Sequence, residues 1–88
     1  MADVERVYTI PLRKAWERPR TQRAKYGIYL IRRFVSRHMK VPMENVIIDT
    51  LVNEAVWRRG IQKPPRRIKV RVLKWEADNV AEVLLAEE

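Results

Sequence analysis

Two periodicities predict an α+β fold: two helices packed on a small, mainly antiparallel sheet, in the order strand, helix, helix, strand, strand. Ile68, Val70 and Val72 alternate with Arg67, Lys69 and Arg71, the period of a half-buried strand. Ala24, Ile28, Ile31 and Val35 recur at the three-to-four spacing of an amphipathic helix. The 88 residues leave room for one domain, residues 1–88, and 47% apolar against 34% charged residues allows a real but small core.

Along the chain, Arg6 to Leu12 sets Tyr8, Ile10 and Leu12 against Val7, Thr9 and Pro11, a first strand whose proline suits an edge or an ending. Arg13 to Arg20 has neither period, and Pro19 disfavours helix at Arg18, which predicts an extended basic loop. Thr21 is the expected N-cap of a helix reaching about Met39 and closed by Val41-Pro42. Turning 100° per residue gathers Ala24, Gly27, Ile28, Ile31, Phe34, Val35, His38 and Met39 on a core stripe. Lys25, Arg32, Arg33, Arg37 and Lys40 fall opposite, with Tyr26 and Tyr29 among them.

The apolar stretch Met43 to Ile48 is compatible with a brief strand or a packed connection. Asp49 or Thr50 caps a second helix with Leu51, Val52, Ala55 and Val56 as its buried face and Gly60 as its end. Trp57 lies off that stripe beside Arg58, where an indole either covers the core margin or stacks on a base. Pro64 and Pro65 stiffen the loop from Ile61 to Arg66 and deliver the chain into a strand from Arg67 to Trp75. Asp78-Asn79 marks a turn, and Val80 to Ala86 returns with Val83 and Leu85 alternating against Glu82 and Leu84. That hairpin allows cross-strand ion pairs such as Arg71 with Glu82, and the first strand is expected to pair with it.

Charge separates into blocks. Arg13 to Lys40 holds ten basic residues and one acid, Glu17; Arg58 to Lys74 holds eight basic residues and no acid; the tail carries Glu76, Asp78, Glu82, Glu87 and Glu88. A net charge of +8 arranged this way attracts polyanions, and nucleic acid is the expected partner. The blocks predict one continuous cationic patch with the carboxylates on the far side.

Catalysis is not expected. With no cysteine there is no disulfide, no thiolate-bound metal and no thiol nucleophile. The single serine, Ser36, lies two residues from the single histidine, His38, where helical side chains diverge, so no triad forms. Gly27 and Gly60 are too few for a phosphate cradle. No cofactor or metal is therefore expected. Neither a secretory pattern nor a membrane-length apolar run is present, and the expected location is the cytoplasm.

One family shares these residues. Val7-Tyr8-Thr9-Ile10-Pro11-Leu12-Arg13, Arg18-Pro19-Arg20 through Arg23-Ala24, Arg33-Phe34-Val35 and His38-Met39-Lys40 come first. Ile48-Asp49, Leu51, Asn53-Glu54-Ala55-Val56-Trp57, Arg59-Gly60-Ile61 and Pro64-Pro65-Arg66-Arg67-Ile68-Lys69-Val70-Arg71-Val72 follow. In order and spacing these resemble the archaeal and eukaryotic ribosomal protein family numbered thirty-one in the large subunit. The short turn near Asp78 is similar to archaeal members, whereas eukaryotic relatives have longer turns and extended C-termini. The resemblance implies a non-catalytic protein bound to large-subunit ribosomal RNA (rRNA) near the rim of the polypeptide exit tunnel. It also implies neighbouring ribosomal proteins as partners and, in eukaryotic relatives, docking of factors that meet the nascent chain.

Carried onto this chain, the implied RNA contacts are the loop with Arg13, Lys14, Trp16, Arg18, Arg20 and Arg23, the helix side with Lys25, Arg32, Arg33 and Arg37, and the stretch with Trp57, Arg58, Arg59, Lys63, Arg66, Arg67, Lys69 and Arg71. Tyr29 and Lys40 join them from the helical pattern itself. Guanidinium forks and ammonium charges would meet phosphates, and the rings would stack on exposed bases. A protein-interaction module at the tunnel exit, whose acidic C-terminal strand or apolar surface docks nascent-chain factors, is the competing reading. Duplex DNA is not expected: Gln22 and Arg23 stand at the start of the helix, but no symmetric dimer element accompanies them.

Overall fold

In the computed structural model, which describes residues 3–58, 60 and 64–86, the alternation at Arg67–Trp75 forms a strand with those bounds. The elements run β1 (Val4–Pro11), α1 (Arg23–Met39), β2 (Val46–Ile48), α2 (Thr50–Trp57), β3 (Arg67–Trp75) and β4 (Val80–Leu85). They build a four-stranded sheet in the order β1-β3-β4-β2. β1 pairs antiparallel with β3, and β3 with β4, as expected. The expected order lacked β2, which adds a parallel pair to β4. Its three residues are too few to show a period; pairing fixes them, with Asp49 donating its N–H to the Val83 carbonyl at 3.0 Å.

Register sorts the side chains. Tyr8 stands opposite Val70 and Ile10 opposite Ile68; Val72 stands opposite Val83, and Val46 opposite Ala81. With α1 and α2 these residues close a core in which Ile31, Val35, Val52, Val56, Val70, Val72 and Val83 are fully buried. Burying each such side chain is worth about 1.5–3 kcal/mol, far above the roughly 0–1 kcal/mol of an exposed ion pair. The other sheet face carries Val7, Arg71 and Leu84 in one row and Glu5, Leu73, Glu82 and Ile47 in the next, and Val7 and Ile47 are 54% and 53% exposed.

Several expectations are corrected by packing. Thr21 does not cap α1: Gln22 donates to the Pro19 carbonyl at 2.9 Å, placing Thr21 inside a 3₁₀ turn and Gln22 at the N-cap without a side-chain bond. Only Ala24, Gly27, Ile31, Val35 and Met39 of the α1 stripe are buried; Ile28 and Phe34 are half-buried, and His38 is exposed. Leu51, expected inside, is 57% exposed, because α2 turns Val52 and Val56 inward. Arg71 stands opposite Leu84 and Glu82 opposite Leu73, so their expected ion pair does not form; Arg71 lies 3.5 Å from Glu5 on β1 instead.

The caps follow the chain chemistry elsewhere. Asp49 accepts from the Leu51 N–H at 3.2 Å. Gly60, at φ +92°, donates to the Trp57 carbonyl at 2.8 Å. α1 ends on Lys40 in the left-handed region at φ 58°, where Ser36 Oγ donates to the Val41 carbonyl at 2.6 Å.

Candidate nucleic-acid interface

The segment after β1 is not the extended loop the sequence suggested. Leu12 donates to the Arg66 carbonyl at 2.7 Å and Ala15 to the Leu12 carbonyl at 3.0 Å, winding Arg13–Glu17 into a 3₁₀ helix with Ala15 buried. This turn fixes Trp16. The Arg66 and Arg23 guanidinium carbons lie 4.9 and 5.1 Å from its ring centroid, within cation–π range. Its buried indole N–H has no acceptor among the described residues.

From Trp16 the array continues onto α1. Arg23 Nε donates to the Arg18 carbonyl at 3.1 Å, and the Arg18 guanidinium lies 4.1 Å over the Tyr26 ring. Tyr26 and Tyr29 follow with ring centroids 5.3 Å apart. Guanidiniums and aromatic rings thus alternate over one surface. The hydrogen bond from Arg18 holds the Tyr26 phenol below its ordinary pKa of 10.0, outweighing the opposing effect of desolvation, and the charges of Arg18, Arg33 and Lys14 act in the same direction as the hydrogen bond. Lys14, Arg33 and Arg37 line a cleft between β1 and α1 beside this array.

Other candidate residues stand apart. Arg32 donates to the Val46 carbonyl and so braces β2 against α1. Arg67, Lys69 and Arg71 lie on the uncovered sheet face, sharing it with Glu5 and Glu82. The expected single patch, with every carboxylate on the far side, is therefore two cationic groups, one on α1 and its 3₁₀ turn and one on the sheet. Trp57 is 38% exposed. Arg13, Arg20, Lys25, Lys40 and Arg58 are exposed; Arg59 and Lys63 lie outside the described residues. His38, assigned to the core by period, is exposed and lines the cleft with Arg33 and Arg37, whereas Phe34 both packs against the core and forms part of the cleft wall. No signal in the sequence separates His38 from true core positions.

Between described residues the only ion pair is Arg71 with Glu5. Arg18 and Arg66 thus lie against rings, and no carboxylate among the described residues pairs with either, so their charge stays available to a polyanion. Among the described residues no cluster of His, Cys, Asp or Glu could hold a metal ion, and no helix is long and apolar enough to cross a membrane.

The family model of ribosomal protein L31e matches residues 2–79. The chain belongs to the ribosomal protein L31e family. It is 51% identical over 89 residues to large ribosomal subunit protein eL31 of Methanopyrus kandleri, covering 99% of this chain and 100% of that one. It is 49% identical over 84 residues to the eL31 of Methanothermobacter thermautotrophicus, with 96% and 100% covered. With the eL31 of Pyrobaculum arsenaticum it shares 54% over 69 residues, 78% of this chain and 75% of that one. This L31e family is one of ribosomal proteins rather than enzymes, and the matched stretch contains the whole array from Trp16 to Arg66.

Proposed function

We propose that this L31e chain is a non-catalytic structural component of the large ribosomal subunit that binds and stabilises rRNA near the rim of the polypeptide exit tunnel. It acts as a single rRNA-binding domain on the cytoplasmic ribosome, with rRNA and neighbouring ribosomal proteins as partners. One observation carries the reading: Trp16, Arg18, Arg23, Tyr26 and Arg66 form an alternating array of rings and guanidiniums in which no carboxylate among the described residues pairs with Arg18 or Arg66. Such an array positions forks for phosphates before RNA arrives, so less side-chain entropy is lost on binding. Recognition then follows RNA shape and phosphate spacing rather than a base code.

The uncovered sheet face supports a second contact. Val7 exposes apolar surface there opposite Arg71, and Ile47 opposite Glu82, which suits a neighbouring protein, including factors that meet the nascent chain. Reversing charge at Arg18, Arg33 and Arg37 separates the two readings when large subunits are purified. Loss of the protein from subunits supports RNA anchoring; full retention, with loss only in a Val7→Lys, Ile47→Lys variant, would reject it.

A further inference from the structure

We propose that the cleft between β1 and α1 seats one unpaired nucleotide extruded from RNA, base inside and flanking phosphates on Lys14, Arg33 and Arg37. The inference rests on the rRNA reading above and adds a recognition mode to it. The cleft is open to solvent and offers about 220 Å³, below the roughly 300–1,000 Å³ of pockets that hold drug-sized ligands. That volume suits a single ring system.

The chemistry of the walls is divided. Ile10, Leu30 and Phe34 make an apolar interior, whereas the cations are Lys14, Arg33 and Arg37, and among the described residues no acid lines the cleft. A bare phosphate needs no apolar interior, and an apolar ligand needs no cations; a nucleotide needs both. The aromatic wall is already fixed. His38 stacks on Phe34 with centroids 4.0 Å apart and planes 14° off parallel, and Tyr8 meets both rings edge-on at 5.3 Å. Tyr8 is itself held by its hydroxyl donating to Met39 Sδ at 3.7 Å. His38 Nδ1 lies 2.9 Å from the Phe34 carbonyl and donates to it, so in the neutral ring Nε2 remains an acceptor for a base N–H. Pulling an unpaired base from its surroundings costs only a few kcal/mol, within reach of stacking at about 1–3 kcal/mol plus the phosphate contacts.

The test compares base-reactive chemical probing of rRNA in large subunits reconstituted with the native chain and with Leu30→Trp, which fills the cleft and keeps every cation. One unpaired nucleotide protected by the native chain is expected to become several-fold more reactive with the variant, at equal occupancy of subunits. Unchanged reactivity at every nucleotide, at equal occupancy, would overturn the cleft proposal and leave rRNA binding standing; failure of the native chain to enter subunits would overturn both. Because Leu30 is half-buried, a second measurement needs no variant. Proton NMR of the full native chain should show Phe34 and His38 ring shifts with adenosine monophosphate that inorganic phosphate does not produce. Equal shifts from the two, or larger ones from an acidic peptide, would contradict the proposal.

Discussion

The guanidinium carbon of Arg66, just before β3, sits 4.9 Å from the centroid of the Trp16 ring on the 3₁₀ turn after β1. Two segments fifty residues apart in the chain thus share one recognition element, tied beneath by the 2.7 Å bond from Leu12 to the Arg66 carbonyl. The indole holds Arg66 and Arg23 without neutralising either, which a carboxylate could not do.

Trp16→Ala therefore tests affinity at constant charge, since the net +8 is untouched. Each exposed cation–π contact is worth about 0.5–1 kcal/mol, so binding to a cognate rRNA fragment should weaken up to roughly tenfold, read by filter binding or fluorescence anisotropy. Trp16→Phe should recover most of the loss.

Lys40 occupies a left-handed position, φ 58°, that favours glycine. A side chain there costs roughly 1 kcal/mol, so Lys40→Gly should raise unfolding free energy in urea by about that amount. The same change should reduce the log–log salt slope of RNA binding by about 0.7–0.9, one phosphate contact. Stability and binding would move in opposite directions.

Gly27 lies where α1 meets α2, Pro64 and Leu12, yet a Cβ placed on it would meet Val56 Cγ1 at 3.5 Å and Pro64 Cβ at 3.8 Å, ordinary contact distances. Gly27→Ala is expected to stabilise by about 0.5–1 kcal/mol through helix propensity. Gly27→Leu should overpack the same junction and cost roughly 1–3 kcal/mol. Chemical denaturation of both variants checks the pair.

The Tyr26 phenol should titrate below 10.0, and Arg18→Gln should move it back up, because the Arg18 hydrogen bond is the largest cause of the shift. A lowered folded-state pKa favours the folded chain only once the phenol ionises, that is, above the folded value. Near neutral pH it contributes nothing to stability. Ultraviolet absorbance titration of tyrosinate in the two proteins reads the difference.

Much of the fold can be read from residues 67–72, where strict alternation admits one strand face. The helix stripe from Ala24 to Met39 is equally plain. What stays hidden is set by partners rather than by period. β2 exists because Val46–Ile48 finds β4; the 3₁₀ turn exists because Leu12 and Ala15 are drawn into the core. His38 falls on the apolar arc by angle, but it is exposed: among the described residues Tyr8 and Phe34 are the aromatic rings that meet it, and it lines the cleft. The basic blocks announce a polyanion partner. Their division between α1 and the sheet depends on register, and composition carries no register.

Salt titration of binding to a cognate rRNA fragment tests the cationic array most directly. For the native chain log affinity should fall linearly with log salt, by about 0.7–0.9 per phosphate neutralised, and replacing Arg18, Arg33 and Arg37 with glutamine should flatten the line by about three such increments. A slope near zero for the native chain, or one unchanged by the triple substitution, would contradict electrostatic anchoring through the α1 surface.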